Sequence, residues 1–257
     1  MPPPIGFQTR RFEYKYVIPP DLVRPIARFA SAYIQSDPHV GPEGDYPVYS
    51  LYLDTASLAT CRWTLQGQKN RFKLRVRYYD HSTDSPVFFE VKRRLHDVIV
   101  KQRAAVCRQA VRDLLAGQWP RSRHLARARD DGEQLGALQA FCSLRDQLQA
   151  RGAVVVSYKR EAYASADGLV RMTFDRHLAA APYLAPIGFT RALRSLPVPL
   201  AGVVLELKFT ERFPKWMLHM VRLFDLERTS MAKYVACATR LHAVQGQIFG
   251  PYVEPVA

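Results

Sequence analysis

Apolar and charged residues alternate with a period of two over residues 71–79 of the chain. Apolar and aromatic side chains occupy the even positions, and Lys73, Arg75 and Arg77 occupy successive odd positions. Successive side chains of a β-strand point to opposite faces. The segment therefore predicts a strand with one apolar face and one strongly cationic face. For a single strand, the plain interpretation is the solvated outer face of an antiparallel sheet.

Seven further segments repeat this alternation, at residues 11–18, 48–54, 87–94, 98–106, 153–162, 169–176 and 203–210. The charged faces of the eight segments together carry Arg11, Glu13, Lys15, Asp54, Lys73, Arg75, Arg77, Glu90, Lys92, Lys101, Arg103, Arg160, Arg171, Asp175, Glu206 and Lys208. Cations outnumber carboxylates in this set, whereas an ordinary solvated face carries mixed polar residues. The repetition favours a charged interior over a solvated sheet.

Segments with helical periodicity or helix-start signals lie between and after these strands. They predict helices near residues 21–35, 56–66, 108–116, 133–151, 213–225 and 230–244. The proline-rich segment 179–199 predicts a loop. We expect the helices at 21–35, 133–151 and 213–244 to cover the apolar faces of the strands from outside.

These elements predict an α+β fold, in which eight antiparallel strands close into a barrel with the helices packed outside and the charges inside. A barrel of this size has room for side chains or one narrow ligand. Burying like charges without counter-ions costs roughly several kcal/mol for each charge, because each ion loses its hydration. The interior must therefore be wet and must receive anions. We expect one domain over residues 10–246, preceded by a lead-in at 1–9 and followed by a tail at 247–257.

The composition agrees with an anionic ligand. The 257 residues include 37 Lys and Arg against 23 Asp and Glu, which gives a net charge of +14. Such a balance points to nucleic acid, an anionic membrane surface or polyphosphate without choosing among them. Arginine grips phosphate oxygens with its planar fork, and lysine adds point charge. Carboxylates among these cations suit Mg²⁺ or Mn²⁺, which take oxygen ligands.

Several other classes of protein are disfavoured by the sequence. The four cysteines, at 61, 107, 142 and 237, form no CxxC pair, so a zinc site is not expected and reduced thiols indicate a cytoplasmic protein. The N-terminus lacks the apolar segment of a signal peptide, and no apolar run is long enough to span a membrane. GxxxxGK[ST] and GxGxxG motifs are absent, which removes the common nucleotide-binding folds.

The ordered motifs of the chain resemble a known family. These motifs are RFEYKY at 11–16, SLYLDT at 50–55, KLRVRYY at 73–79, FFEVKRR at 88–94, VKQR at 100–103, YKREAY at 158–163, VRMTFD at 170–175, LELKF at 205–209 and AKYV at 232–235. Each is weak alone, but in this order they resemble the VTC domain, the polyphosphate polymerase module of the vacuolar transporter chaperone complex. That module belongs to the triphosphate tunnel metalloenzyme, or CYTH-like, superfamily. The resemblance covers roughly residues 10–244.

The resemblance implies a tunnel that binds triphosphate or polyphosphate together with Mn²⁺ or Mg²⁺. Beside Lys73 and Arg103, which the charged strand faces add as phosphate ligands, it implies phosphate ligands at Lys15, Arg75, Arg77, Lys92, Lys101, Tyr158, Arg160, Arg171, Lys208 and Lys233. Of these, it assigns catalytic roles to Lys15, Arg75, Arg77 and Lys92, together with Glu206. Glu206 matches the metal-binding glutamate, with Glu13 and Glu90 as further candidate metal ligands. Asp54 and Asp175 are expected to fix tunnel arginines.

Two departures from the family pattern refine these expectations. The wider superfamily begins with ExExK, whereas this chain has Arg11 in the first position and keeps only Glu13 and Lys15. This favours the VTC branch over the triphosphatase and adenylate cyclase branches and leaves fewer metal carboxylates. No SPX-like regulatory domain or membrane anchor is seen, so we expect regulation or translocation to involve other proteins, including a membrane partner protein.

The leading prediction is a metal-dependent polyphosphate polymerase that transfers the γ-phosphate of ATP to a polyphosphate chain and releases ADP. One alternative is a tripolyphosphatase of the same fold, in which water is the acceptor. Another is a non-catalytic module that binds polyphosphate or other polyanions. An RNA-binding barrel is disfavoured, because the aromatic residues lie on the apolar faces, whereas binders of single strands expose them among the cations.

Overall fold

The computed structural model describes residues 11–96, 98–126, 132–183 and 195–245. The predicted lead-in and tail lie outside these residues. The described strands are β1 Arg11–Ile18, β2 Gln35–Ser36, β3 Tyr46–Asp54, β4 Asn70–Tyr78, β5 Val87–Leu95, β6 Val98–Val106, β7 Arg151–Ala164, β8 Val170–Pro182, β9 Leu196–Pro197 and β10 Val203–Thr210. The described α-helices are α1 Val23–Ala30, α2 Ala59–Leu65, α3 Val111–Leu115, α4 Gly132–Leu148, α5 Lys215–Leu223 and α6 Lys233–Gln245.

The eight long strands lie where the alternation predicts them, and the α+β class is confirmed. The loop prediction for residues 179–199 is wrong at both ends, because β8 continues to Pro182 and β9 forms at Leu196–Pro197. Here backbone pairing decides the conformation: β8 pairs with β7 up to the partners Val154 and Pro182. The short alanine run in this part of β8 has no alternation to reveal a strand.

All eight long strands belong to one antiparallel sheet with the order β1-β10-β8-β7-β3-β4-β5-β6, while β2 pairs with β7 and β9 pairs with β8. The register sets opposite charges across from each other on the inner face. Lys15 of β1 lies opposite Glu206 of β10, and Arg75 of β4 lies opposite Glu90 of β5. Such cross-strand pairs stabilise the sheet and fix its register.

The sheet does not close into the predicted barrel, because its two edge strands, β1 and β6, do not pair over the described part of the chain. Within the described residues, no backbone ladder joins β1 to β6. The sheet is nevertheless curled, because Cα atoms of β1 and β6 approach within 8 Å. Lys92 of β5 also reaches Glu13 of β1, with Nζ 3.0 Å from Oε2.

A segment that we call the seam segment, residues 228–232, occupies part of the free edge of β1. Tyr16 forms an isolated antiparallel bridge with Arg228, and the Thr229 N–H donates to the Lys15 carbonyl at 2.8 Å. The seam segment therefore supplies hydrogen-bond partners to backbone groups on the free edge of β1. This competition explains why β6 does not complete a barrel at this point.

Two of the three core clusters lie outside the curled sheet. Helices α1 and α5 bury Ile26 and Met217 against the outer face of β1, β8 and β10, next to Phe174 and Leu205. Helix α4 buries Leu138 and other residues against the outer face of β3 to β6. These positions agree with the predicted outer cover. Among the described residues, no helix combines the length and the apolar character needed to cross a membrane.

Helix α6 departs from the prediction, because it packs on the inner side of the sheet. Its residues Tyr234 and Leu241 share a buried cluster with Val156 of β7 and Ala180 of β8. The register of β8 shifts against β7 between Ser157 and Lys159, and His177 adopts a φ of 54°. This bulge moves Ala180 to the inner face. One end of the interior is therefore apolar and accepts a helix.

Candidate functional site

The inner face of the curled sheet surrounds a cavity of about 760 Å³. The structure brings all twelve of the sequence-predicted phosphate ligands to its walls: Lys15, Lys73, Arg75, Arg77, Lys92, Lys101, Arg103, Tyr158, Arg160, Arg171, Lys208 and Lys233. They come from seven strands and from the first turn of α6. Residues far apart in the chain meet because each occupies the inward-facing positions of its own strand.

Cationic side chains dominate the walls of this cavity. Fourteen Lys and Arg side chains line it, against the two carboxylates Glu13 and Glu206. Like charges at this density repel one another. This excess of positive charge is complementary to anions, and arginine and lysine donors match phosphate oxygens in particular.

Glu90 lies beneath the cavity wall and is completely buried. Its carboxylate is 2.6 Å from Arg75 Nε, 2.5 Å from Lys101 Nζ and 3.5 Å from Arg103 Nε. Burial alone would raise the pKa of Glu90, but the nearby cations, Arg75 foremost, hold it well below its usual range. Glu90 is thus an ionised counter-ion that three cations surround.

Glu206 and Asp175 form a second buried ionic cluster with Lys233 and Arg160. Lys233 Nζ lies 2.7 Å from Glu206 Oε1 and 2.6 Å from Asp175 Oδ2. Arg160 donates to Asp175 through Nε at 2.6 Å and Nη2 at 2.7 Å. Burial opposes ionisation of Glu206, but Lys233 and Lys208 outweigh it and hold its pKa well below the usual range. The expected pairing of Asp175 with a tunnel arginine is present.

Glu13 of β1 lies at the gap between the two edges of the sheet, between Lys15 and Lys92. Its carboxylate oxygens are 3.3 Å from Lys15 Nζ and 3.0 Å from Lys92 Nζ. Lys15 also approaches Glu206 at 3.7 Å and donates to the Met231 carbonyl at 2.9 Å. Burial favours protonation of Glu13, but Lys92 and Lys15 hold its pKa well below the usual range. Lys15 therefore links both cavity carboxylates to the seam segment.

Two of the cations predicted to bind phosphate have no carboxylate partner among the described residues. Arg77 is buried and donates to Ser50 Oγ at 3.1 Å and Tyr158 Oη at 3.4 Å, both neutral groups. Lys73 lies 5.9 Å from the centroid of the Tyr234 ring. Burial, followed by the charges of Lys15 and Lys92, lowers the pKa of Lys73 to about 7. These two side chains are the ones most in need of an anionic partner.

Asp54 does not fix a tunnel arginine, contrary to the prediction from its strand. It accepts hydrogen bonds from Thr60 N at 2.9 Å, Thr60 Oγ1 at 2.8 Å and Cys61 N at 3.0 Å, all in α2. Tyr234 of α6 donates to it at 2.6 Å. Asp54 thus joins β3, α2 and α6. Its position at the last residue of β3 places it beyond the arginines and next to the following helix.

The sequence predictions missed part of the cavity wall. Arg71, Arg94 and Arg228 line the cavity, as do the remaining residues of the seam segment. Arg71 and Arg94 occupy the next inward-facing positions toward the ends of β4 and β5, beyond Lys73 and Lys92. Extending the alternation by one inward position in each strand therefore identifies them. The seam segment has no periodic signal and could not be found in that way.

The carboxylates offer a limited set of ligands for a metal ion. Among the described residues, no group of three or more His, Cys, Asp or Glu side chains could hold a metal ion. Glu13 and Glu206 remain as two ionised carboxylates that line the cavity, whereas Glu90 lies among its three cations. Mg²⁺ is commonly bound by one or two carboxylates together with substrate phosphates. The donor set therefore fits a cation that shares its ligands with a bound phosphate chain.

The fold and the site together define a protein in which a curled antiparallel sheet surrounds a cavity lined mainly by cations. The sequence model of the VTC domain matches residues 10–242. The chain therefore belongs to the VTC domain family. No curated protein matches it in sequence.

Two solved structures resemble this chain in fold. One is from Bacillus halodurans and is provisionally described as an adenylate cyclase; it shows 11% identity and a TM-score of 0.46, with 87% of this chain and 94% of that chain covered. The other, the PH1819 protein of Pyrococcus horikoshii, shows 11% identity and a TM-score of 0.41, with 91% and 98% covered. At these TM-scores neither likeness adds to the assignment, which rests on the family model.

Proposed function

We propose that this protein is a polyphosphate polymerase. It would transfer the γ-phosphoryl group of ATP to the terminal oxygen of a polyphosphate chain held in the cavity. The bond from the γ-phosphorus to the β–γ bridging oxygen breaks, a new phosphoanhydride bond forms, and ADP leaves with the bridging oxygen. The single observation that carries the proposal is the cavity in which fourteen cationic side chains face two carboxylates. Membership of the VTC family supports it.

In this proposal, the cationic walls hold the substrates and stabilise the charge that spreads over the transferred group. Arg75 and Arg77 enter from neighbouring inward positions of β4, and Lys15 and Lys92 approach from β1 and β5. Because Arg77 lacks a carboxylate partner in the described part of the chain, a phosphate oxygen would supply its missing charge. The buried carboxylates Glu90 and Asp175 keep their cations in place.

Glu206 and Glu13 would supply the carboxylate oxygens that hold Mg²⁺ or Mn²⁺ at the substrate phosphates. Such an ion, when bound, neutralises charge on the transferred phosphoryl group. Both carboxylates now contact lysines. We therefore expect Lys15 and Lys233 to shift toward phosphate oxygens when the metal and the substrate bind together.

The test is to incubate the purified full-length chain with ATP and Mn²⁺ or Mg²⁺ and to measure long-chain polyphosphate and ADP. The proposal expects both products in matching amounts. Arg77→Gln should lower the rate by roughly a hundredfold, which is the scale for removing one donor to a developing charge. Arg28→Gln, on the outer helix α1, is the matched control and should keep the wild-type rate.

Two other results would replace the proposal with its alternatives. Release of inorganic phosphate from ATP or tripolyphosphate, without polymer, would identify a tripolyphosphatase. Tight binding of polyphosphate without any turnover, unchanged by Glu206→Ala, would identify a non-catalytic binding module. Absence of both binding and turnover would contradict every phosphate-based function for the cavity.

A further inference from the structure

A second cavity of about 240 Å³ opens beside one mouth of the large cavity. Trp63, Gln68, Asn70 and Arg93 line it, and it shares Arg71 and Phe72 with the large cavity. Trp63 comes from α2, while Phe72 is the third residue of β4. The two cavities therefore adjoin at Arg71 and Phe72, where Phe72 faces outward and Arg71 inward, and the pairing of β3 with β4 has already ended at Leu74.

The lining of the small cavity suits a flat, mostly apolar group with a polar edge. The Trp63 and Phe72 rings have centroids 5.8 Å apart at an interplanar angle of 64°. The guanidinium carbon of Arg93 lies 5.9 Å from the Phe72 centroid. Its Nε is buried and has no hydrogen-bond partner within the described residues. Nucleobases stack on aromatic rings and on arginine.

A row of opposed cations leads from this end of β4 into the large cavity. In the pairing of β4 with β5, Arg71 lies opposite Arg94 and Lys73 lies opposite Lys92. Each step along the inner face advances roughly 6.6 Å, from the rise of about 3.3 Å per strand residue. Phosphates attached to a group in the small cavity would pass Arg71 at the shared wall and then meet these opposed pairs of cations in succession.

We propose that the small cavity binds the nucleobase of the nucleoside triphosphate donor, while its phosphates extend along β4 into the large cavity. This inference deepens the proposed function and rests on it. Gln68 and Asn70 place amide groups at the small cavity, where they are able to donate to and accept from the edge of a base. Inorganic tripolyphosphate has no base and would not use this site. The small cavity thus separates recognition of the nucleotide from recognition of the phosphate chain.

The test compares ATP with tripolyphosphate by isothermal titration into the full-length chain. Trp63→Ala should weaken ATP binding about tenfold, a loss within the range measured for stacking of one base, and should leave tripolyphosphate binding unchanged. Trp63→Phe should retain most of the ATP affinity. Trp119→Ala, an exposed residue outside both cavities, is the matched control.

Equal losses for both ligands, or no loss for either, would overturn the nucleobase site while leaving the proposed function in place. Failure of the wild type to bind either ligand would instead overturn the proposed function, and this inference with it. If Trp63→Ala does not fold, as judged by its thermal unfolding, Phe72→Leu replaces it. That variant keeps an apolar side chain in β4 and should lose ATP affinity selectively.

Discussion

At the scale of single residues, the cavity contains cations of two kinds. Arg75 and Lys233 contact buried carboxylates at 2.6 Å and 2.7 Å, so their charges are already compensated. Lys73 and Arg77 have no such partner among the described residues. Lys73 therefore exchanges its proton near neutral pH, whereas Arg77 stays charged. Under the proposed function, an incoming phosphate chain would gain most from these two positions.

Lys73 gives the first prediction, on proton uptake. Its pKa of about 7 lies below the ordinary lysine value, so its charge is complete well below pH 7 and is lost as the pH rises above it. A bound anion favours the charged form and raises this pKa. Tripolyphosphate binding at pH 8 should therefore take up more protons than binding at pH 6, as measured by calorimetry in buffers of different ionisation enthalpy.

Lys73→Arg is the variant that isolates this effect, because arginine remains charged throughout. It should reduce proton uptake at pH 8 and flatten the pH dependence of the affinity. Some uptake will remain, since burial, opposed by nearby carboxylates, lowers the pKa values of Lys101 and Lys208 to about 8. Equal uptake by the wild type and the variant would contradict the assignment to Lys73.

Glu90 gives the second prediction, on stability. Glu90→Gln removes the carboxylate that Arg75, Lys101 and Arg103 share. Removing one member of a buried ionic cluster costs about 3–5 kcal/mol, and we expect the lower end because Lys101 and Arg103 are partly exposed. The free energy of unfolding should therefore fall by about 3 kcal/mol in urea denaturation.

The control for Glu90 is Glu43→Gln, which breaks the exposed pair with Lys159 and should leave the free energy of unfolding nearly unchanged. If Glu90 serves only as a counter-ion, the variant should still bind tripolyphosphate in the absence of metal. A wild-type stability for Glu90→Gln would show that the three cations do not need this carboxylate.

At the scale of elements, α6 is the helix whose position matters most for the site. It lies inside the curled sheet, and its first turn brings Lys233 and Tyr234 to the cavity wall. The N-terminal end of a helix favours anions. Tyr234 also stacks on Tyr52, with ring centroids 4.5 Å apart. The helix therefore closes one end of the interior and adds to its positive potential.

The third prediction concerns the bond that ties α6 to α2 through Asp54. Tyr234→Phe removes the 2.6 Å hydrogen bond to Asp54 but keeps the ring stacked on Tyr52. A hydrogen bond to a charged group contributes about 1.5–3 kcal/mol, so the unfolding free energy should fall by about that amount. Tyr33→Phe, which alters an exposed tyrosine on the outer surface, should change stability by less than about 0.5 kcal/mol.

Hydrogen exchange provides a second measurement for Tyr234→Phe. Exchange should accelerate more for the amides of α6 than for those of the outer helix α5, because the inner helix also loses a local anchor. Uniform acceleration across the molecule would show that the bond supports the whole fold and not the seating of α6.

At the scale of the whole molecule, the structure directs much of the net charge of +14 toward one interior surface. The cavity holds fourteen cations against two carboxylates. Glu90 and Asp175 compensate part of this excess from within the wall. The remaining field attracts polyanions from solution and is sensitive to dissolved salt.

The fourth prediction follows from this field. The affinity for tripolyphosphate should fall more than tenfold between about 0.1 M and 0.5 M KCl, since several cations exchange bound salt ions for phosphate contacts. Titration at a series of salt concentrations measures the slope. Arg77→Gln should reduce that slope, and Arg28→Gln on the outer helix α1 should not. An affinity independent of salt would contradict an electrostatic cavity.

The sequence alone determined the strands and their faces. A period of two is a local property, so β1, β6 and β10 were predicted with the bounds that they have in the structure, and the inward positions of β4 identified Lys73, Arg75 and Arg77. The excess of cations on these faces also predicted an interior that binds anions. These conclusions required no knowledge of how the strands meet.

Only the tertiary structure decided how the interior is closed and which groups meet within it. The bulge at His177, the pairing of the seam segment with β1, and the entry of α6 all depend on contacts between residues distant in the chain. Strand periodicity predicts only that Glu90 and Asp54 lie on the inward face. It cannot predict that Glu90 pairs with three cations or that Asp54 accepts hydrogen bonds from α2. Their partners are set by the curvature of the sheet and by the helix that fills its end.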